Sequence, residues 1–280
     1  MPSRPRIAVL GHVEHVTLGG VRELPRAGDI VHLDEPVVIP GGGGGVTFHQ
    51  LTRAPADVVL FTAFGHDTAG DELLARVRAT GAQVHAARRA EPHTRDVVLL
   101  TPDGERTIVV VGLPLHPRHD DGLPWQVLDG CDAAYFTAYD PALVREARRA
   151  RFLVVSARRR ESLVRSGVKA DLVVGSRRDP REASTLRDYP VPPTALVMTE
   201  GPDGGTVETA AGLERFRAPA SPEVIRSSYG AGDSFLGALL WFRLLGLPLV
   251  AACERAGAFG AAVLTSVDPL SAQLDLPASP

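Results

Sequence analysis

Short apolar runs rich in β-branched and aromatic residues alternate with helical patterns along nearly the whole chain. The runs are residues 7–10, 58–64, 133–137, 152–156, 172–174 and 195–199. After the second run, Asp67 and Asp71 give the pattern of a helix N-cap with an acidic first turn, and the helix is expected to end at Gly81. This alternation predicts an α/β fold with a mostly parallel central sheet flanked by helices.

Two segments interrupt the alternation. Residues 29–38 form one, and residues 95–100 and 107–111, on either side of the turn Pro102-Asp103-Gly104, form the other. Their patterns predict antiparallel strands, the second pair as a hairpin. We expect strands inserted at about residues 28–40 and 95–112 to form a small sheet that covers the main body as a lid. The 280 residues are expected to form a single domain, 1–280, because α/β domains of this size commonly fold around one core.

Charge and composition exclude several classes of function. The net charge of −3 provides no basic field for nucleic acid or for an anionic membrane. The arginines within residues 145–151 and 158–160 have no interleaved aromatic residues, so we interpret them as solvated. Only two cysteines are present, which excludes a disulfide framework and fits a reducing cytoplasm.

The longest apolar stretch, residues 235–253, has about the length of a transmembrane helix. Arg243 would be costly near the centre of a bilayer, and Pro248 follows Gly246 in the manner of a helix stop. We therefore expect two buried helices that meet near residue 247, and no membrane span. The chain end, residues 271–280, is expected to fray.

The chain contains 28 glycines, and much of this excess is concentrated in three clusters at residues 41–45, 201–205 and 230–232. The last cluster leads into an apolar helix pattern through the sequence Gly230-Ala231-Gly232-Asp233-Ser234-Phe235. Small residues at a helix N-terminus leave backbone N–H groups uncovered, which makes a site for a phosphate. A carboxylate beside such a site can take a proton from an attacking hydroxyl, as phosphoryl transfer requires. The alternative is a glycine turn in which Asp233 only caps the helix.

This segment resembles the second signature of the PfkB (ribokinase-like) family of sugar and nucleoside kinases. The resemblance implies that the backbone of Gly230, Ala231 and Gly232 forms the anion hole for the transferred group. It also implies that Asp233 is the catalytic base and that the fold is ribokinase-like.

A second stretch is similar to the first signature of the same family. It begins at Gly41 and Gly42, continues through residues 62–65 and ends with Asp67 and Gly70. In the family the paired glycines bring the backbone close to the substrate sugar, so the resemblance implies a substrate-binding role for Gly41 and Gly42. We interpret all three glycine clusters as ligand-facing loops.

Two further segments resemble the nucleotide-binding motifs of the family. Thr199, Gly201 and Gly204 are similar to its Thr-x-Gly-x-x-Gly loop, which contacts the nucleotide. Ser176 and Asp179 stand where the family has an Asn-x-x-Glu motif associated with phosphates and Mg²⁺. The resemblance implies that ATP is bound here, with Asp179 reaching Mg²⁺ through water because its side chain is shorter than that of Glu.

The sequence also departs from the family at three places. Glu14 follows the first strand where the family has an Asn or Asp region, and it is either a hydroxyl acceptor for the substrate or a solvated loop carboxylate. Val46 occupies the position of an Asn, which weakens the expectation of an ordinary hexose or ribose. Ser227 and Ser228 replace an Asp-Thr pair linked to monovalent-cation activation in some members, so that dependence is not carried over.

The resemblance implies an ATP-dependent carbohydrate kinase that phosphorylates a hydroxyl of a sugar or sugar-like small molecule in the cytoplasm. A nucleoside kinase of the same fold is one alternative. A non-catalytic member that binds ligand or nucleotide without turnover is another, and the departures at Val46 and Ser176 favour it. Because lids of several relatives pair across an exposed edge, we also expect a homodimer.

Overall fold

The computed structural model describes residues 4–279 of the chain, and each of the six apolar runs predicted as strands forms one. In chain order the strands are β1 (Arg6–Leu10), β2 (Glu14–Gly20), β3 (Asp34–Gly41), β4 (Asp57–Gly65), β5 (Gln83–Arg89), β6 (Arg95–Leu100), β7 (Arg106–Val111), β8 (Ala133–Phe136), β9 (Phe152–Ser156), β10 (Leu172–Ser176), β11 (Ala195–Thr199), β12 (Gly205–Thr209) and β13 (Gly212–Phe216). The helices are α1 (Gly42–Thr52), α2 (Thr68–Arg78), α3 (Pro141–Ala147), α4 (Arg160–Ser166), α5 (Ala231–Leu244), α6 (Leu249–Val263) and α7 (Pro269–Ala272).

The large sheet has the order β13-β12-β11-β10-β9-β8-β1-β4-β5. The seven strands from β11 to β5 are parallel, and β12 and β13 extend one edge in antiparallel orientation. One apolar cluster joins the sheet to α1, α5 and α6, and another lies on α3 and α4. The predicted α/β fold is therefore confirmed, and the carboxyl ends of its parallel strands form the edge at which such sheets bind ligands.

A separate small sheet has the order β3-β2-β6-β7. Its hairpin β6–β7 lies within the predicted segment, but the sheet also contains β2, which the sequence did not indicate. The strand predicted from residue 29 begins only at Asp34, because the preceding segment finds no partner strand and Ile30 is 90% exposed. Val16, Ile39 and Val98 give this small sheet an apolar core of its own.

The apolar stretch 235–253 forms parts of two helices, as predicted. Helix α5 is followed by a turn at Gly246, whose φ is 87°, and Pro248 is the residue before α6. Across residues 4–279 we find no helix with the length and apolarity needed to cross a membrane.

The chain end does not fray over its first residues. Gln273 and Leu276 are buried, and the indole of Trp241 donates a hydrogen bond of 2.8 Å to the Pro277 carbonyl. The prediction of a frayed tail from residue 271 is therefore wrong up to residue 277. It failed because the sequence of the tail does not indicate which helices it packs against. Pro280 lies outside the described residues.

Candidate active site

The N-terminus of α5 is open to an anion. Helix α5 begins after Gly230, whose φ of 81° lies in the region that favours glycine. No side chain caps this helix start. Gly232 is exposed, and a Cβ built on it would meet no atom within 4 Å. The small residues therefore leave backbone N–H groups of the first turn free at the positive end of the helix dipole.

Asp233 lies in this first turn and is half-buried. Burial and, to a smaller extent, the carboxylate of Glu182 raise its pKa from 3.8 to about 7, against the opposing charges of Arg106 and Arg158. A carboxylate with a pKa near the operating pH is a suitable general base. The main function of Asp233 is not to cap the helix, since its side chain is no N-cap of α5.

Gly43 lies among three polar side chains. A Cβ at Gly43 would lie 3.3 Å from Asp233 Oδ1, 3.6 Å from Thr137 Oγ1 and 3.9 Å from His12 Cε1. The absence of a side chain at residue 43 therefore leaves room for a ligand group beside Asp233. Neither Thr137 nor His12 belongs to a catalytic motif of the sequence, and only the fold brings them to this point.

The glycines at residues 41–45 do not form a loop. Gly42–Thr52 is helix α1, and Gly41 is its N-cap. A Cβ at Gly42 would lie 2.9 Å from Glu14 Oε2, so Gly42 faces the same region as Gly43. The corresponding position at Gly41 is filled by Val16 and the Tyr229 hydroxyl, so Gly41 packs against the small sheet instead.

Glu14 is a buried carboxyl group on β2, which excludes the solvated-loop interpretation. Its neighbour is Asp96 on the adjacent strand β6, where Asp96 pairs with Val16. Burial, the charge of Asp96 and a hydrogen bond with it raise the pKa of Glu14 well above its usual range, and burial raises the pKa of Asp96. The two carboxyl groups therefore hold protons more readily than solvated carboxyl groups do. Asp96 could have been noticed in the sequence as a charge in register with Val98 and Leu100, both buried.

The nucleotide-motif residues lie together at the carboxyl ends of two adjacent strands. Ser176 ends β10 and Thr199 ends β11, and the two are paired in the sheet. Gly201 and Gly204 follow with φ values of 66° and 82°. A Cβ at Gly204 would lie 2.1 Å from the Phe216 carbonyl oxygen, so a side chain is excluded there.

The carboxylates of this second cluster share one arginine, and Asp179 also lies 3.7 Å from Nε of Arg181. Arg158 contacts Asp179 at 2.5 Å and Glu182 at 3.0 Å. Glu182 also accepts a hydrogen bond of 2.9 Å from the Ser176 amide. Glu182 connects this cluster to the first, since its charge acts on Asp233. Neither Glu182 nor Arg158 belongs to a motif that we recognised in the sequence.

Val46 lies in the core and not in the open site. Its side chain is fully buried in the apolar cluster that contains Tyr229. Its carbonyl accepts a hydrogen bond of 3.0 Å from Gln273, which also donates to Ser234 Oγ at 3.1 Å. The apolar residue at position 46 is therefore compatible with this packing.

Comparison with solved structures establishes the fold. A ribokinase from Giardia lamblia superposes with a TM-score of 0.79 at 14% identity, covering 98% of this chain and 97% of its own. An adenosine kinase from Sinorhizobium meliloti gives 0.76 at 19% identity, with 95% of each chain covered. A nucleoside kinase from Methanocaldococcus jannaschii gives 0.75 at 13% identity, covering 96% of this chain and 94% of its own.

The chain thus has the ribokinase-like fold. Residues 186–275 match the model of the pfkB family carbohydrate kinases. The resemblance to the PfkB family that the motifs indicate is therefore confirmed. No match was found among curated proteins.

Proposed function

We propose that this protein is an ATP-dependent kinase that phosphorylates a hydroxyl of a sugar or sugar-like small molecule. The observation that carries the proposal is the uncapped N-terminus of α5, with a carboxylate of pKa about 7 in its first turn. That carboxylate opens onto the space at Gly43, where an acceptor hydroxyl would lie within hydrogen-bond distance of it.

In this mechanism the residues of the site have separate roles. Asp233 accepts the proton of the acceptor hydroxyl as that oxygen attacks the phosphorus. The N–H groups around Gly230, Ala231 and Gly232 stabilise the charge that develops on the transferred group. Thr137 and the Glu14–Asp96 pair hydrogen-bond the acceptor and orient it, since a protonated carboxyl group donates and a carboxylate accepts.

The donor side is assigned to the second cluster. Thr199, Gly201 and Gly204 would contact the nucleotide, and Ser176 its phosphates. Mg²⁺, when bound with ATP, would neutralise phosphate charge, and Asp179 and Glu182 are the carboxylates that would reach it through water. Both are already compensated by Arg158, and residues 4–279 contain no cluster of three potential metal ligands, so the fit to Mg²⁺ is through water only.

A nucleoside acceptor is the second candidate. A pocket of about 520 Å³ lined by His116, Tyr139 and Asp140 lies beside the site. His116 stands next to His12, with ring centroids 4.6 Å apart. An aromatic-lined pocket of this size would accept a base.

The proposal includes a homodimer in the cytoplasm. Strand β7 is an edge of the small sheet, and its residues Ile108 to Val111 are 40–52% exposed. Four consecutive β-branched residues on an unpaired edge favour pairing with a second copy. Cys131 and Cys253 are buried free thiols, which is compatible with a reducing compartment.

An ATP-consumption screen over sugars, sugar alcohols, sugar acids and nucleosides tests the proposal, with Asp233→Ala as the blank. We expect at least one acceptor to drive ATP consumption in the wild type and none in the variant. ATP binding by calorimetry without consumption for any acceptor would contradict the proposal. That outcome would favour the non-catalytic alternative.

A further inference from the structure

Arg159 is the one member of the run Arg158-Arg159-Arg160 that is buried, with 6% of its surface exposed. The sequence interpretation of residues 158–160 as solvated is therefore wrong for Arg159. It failed because Arg159 turns inward from the end of β9 and packs on the loop that follows β8. A guanidinium group in such a place loses hydration and normally requires an acidic partner.

Arg159 has no acidic partner among residues 4–279. Its Nε donates a hydrogen bond of 2.8 Å to the Thr137 carbonyl, and its guanidinium carbon lies 3.8 Å from the centre of the Tyr139 ring. No carboxylate of the described chain lies within 4.0 Å, and no described atom accepts from Nη1 or Nη2. Neither nitrogen is among the fully buried, unpartnered side-chain atoms of the described residues. The two outer nitrogens therefore remain available to a ligand.

The guanidinium of Arg159 lies close to the space at Gly43 that we assign to the acceptor. Thr137 connects the two, because its carbonyl binds Arg159 while its Oγ1 borders the space at Gly43 that Asp233 also borders. The neighbouring Arg158 turns the other way, to Asp179 and Glu182. The two consecutive arginines thus lie on different sides of the site, Arg159 toward the acceptor and Arg158 toward the nucleotide-motif residues.

The charge of Arg159 extends over the acceptor side. It helps burial to lower the pKa of His12 to about 3, and it opposes the rise in the pKa of Glu14. Because both histidines at this place, His12 and His116, have depressed pKa values, they stay neutral at physiological pH. Arg159 is therefore the cation of the acceptor site, and no described carboxylate lies within 4.0 Å of it.

We propose that Arg159 binds a carboxylate of the acceptor, so that the substrate is a polyhydroxy acid with its reacting hydroxyl at Asp233 and its carboxylate at Arg159. Two parallel N–H groups on Nη1 and Nη2 match the two oxygens of a carboxylate. A neutral polyol would leave a buried charge unpaired. A phosphate dianion would bring a second negative charge that the single cation of Arg159 does not balance. This inference rests on the proposed kinase function for the role of Asp233.

The test compares three open-chain six-carbon ligands that differ only at carbon 1: D-gluconate, D-sorbitol and D-sorbitol 1-phosphate. Other polyhydroxy acids of three to seven carbons complete the panel. Binding is measured by calorimetry and turnover by ATP consumption, for the wild type and for Arg159→Gln and Arg159→Lys. We expect the wild type to prefer an acid to the corresponding neutral polyol and to the phosphate by at least about tenfold. Arg159→Gln should raise Kd and KM for the acid by at least about tenfold and remove the preference, and Arg159→Lys should restore part of it.

Arg165→Gln is the matched control, since Arg165 is exposed on α4 and its ion pair within the described part of the chain is with Glu161. It should leave the preference unchanged. If Arg159→Gln fails to fold, as circular dichroism would show, the wild-type preference and the lysine variant still decide. A wild-type preference for neutral polyols or phosphates, no binding of any acid in the panel, or an unchanged acid preference in a folded Arg159→Gln would overturn the inference.

The two proposals fail in different ways. Asp233-dependent ATP consumption with neutral acceptors only would leave the kinase function standing and overturn the role of Arg159. Arg159-dependent binding of an acid, with no ATP consumed by the wild type, would contradict the kinase function and support the anion site.

Discussion

Asp233 owes its proposed role to its place in the first turn of α5. Its carboxylate lies beside free N–H groups, yet burial and the charge of Glu182 raise its pKa to about 7. In the proposed mechanism the same turn therefore supplies both the base and the anion site, and the acceptor binds beside both at Gly43. A solvated aspartate would ionise near pH 4 and would be a weaker base.

The pKa of Asp233 predicts the pH dependence of turnover. Because only the ionised carboxylate accepts a proton, kcat/KM should fall about tenfold per pH unit below pH 7 and level off above it. A pH series from 5 to 9, with acceptor and ATP varied separately, measures this limb. A profile that stays flat down to pH 5 would show that Asp233 is not the base.

Glu182 is predicted to set part of the pH at which kcat/KM begins to fall. Its charge raises the pKa of Asp233, so Glu182→Gln should lower that pKa and move the acidic limb of kcat/KM to lower pH. Glu161→Gln is the control, because Glu161 is an exposed residue of α4. A limb that moves to higher pH, or moves equally in both variants, would contradict the electrostatic connection between the two clusters.

For single residues, the sequence predicts a role where the residue belongs to a local motif. Asp233 and the glycines around it follow from a single helix start. Asp96, Glu182 and Arg159 do not, because their roles depend on partners that only the fold brings near them. A lone Asp in a strand or an Arg in a basic run has no pattern that distinguishes burial from solvation.

At the scale of elements, α1 and α5 meet at their first turns. Thr47 Oγ1 on α1 donates a hydrogen bond of 3.2 Å to the Asp233 carbonyl on α5, which fixes Gly43 against the base. The glycines allow α1 to start this close to the end of β1. A Cβ at Gly44 would lie 2.4 Å from the His12 carbonyl oxygen, whereas one at Gly43 would meet only side-chain atoms.

This difference predicts opposite effects for two neighbouring substitutions. Gly44→Ala should destabilise the fold by about 1–3 kcal/mol, because backbone atoms must shift. Gly43→Ala should melt near the wild-type temperature but lose most of its kcat/KM, since the methyl group occupies the acceptor space. Thermal melts and steady-state kinetics measure both.

Gly130→Ala is the control for this pair. Gly130 is exposed, and a Cβ there would meet only the end of the Arg6 side chain at 3.8 Å. It should match the wild type in both measurements. Equal melting temperatures for the variants at residues 43 and 44, or full activity of Gly43→Ala, would contradict the arrangement.

Helices and parallel strands were predictable because their patterns are local. Asp67 caps α2 as expected, accepting from the Gly70 amide at 3.0 Å, and α2 ends close to Gly81. Strand β2 was missed because residues 14–20 contain a glutamate, a histidine and paired glycines, which do not form a clear strand pattern. They become a strand by pairing with β3 and β6. The glycines of α1 were taken for a loop because glycine has low helix propensity, which tertiary packing overrides here.

At the scale of the whole molecule, the small sheet supplies Glu14 and Asp96 to the acceptor side and Arg106 to the anion side. Arg106 on β7 donates a hydrogen bond of 3.1 Å to Ser228 Oγ, just before the start of α5. The small sheet thus covers the site, as the inserted segments led us to expect, and its outer strand β7 remains an unpaired edge.

The exposed edge predicts the state of assembly. We expect sedimentation at micromolar concentration to give twice the chain mass of 29.7 kDa. Val110→Lys should give a single chain, because a charge on the edge opposes strand pairing. Leu213→Lys, on the edge strand β13 of the large sheet, should remain a dimer. A monomeric wild type would contradict the proposal.

The most direct test of the account follows phosphoryl transfer from γ-labelled ATP to the acceptor that the screen identifies, in the wild type and in Asp233→Asn. The variant keeps the size of the side chain and removes the base. We expect the labelled acceptor in the wild type, and a loss of about 10²–10⁴-fold in kcat in the variant with ATP affinity retained. Transfer at the wild-type rate by Asp233→Asn would contradict the role of Asp233 and with it the proposed mechanism.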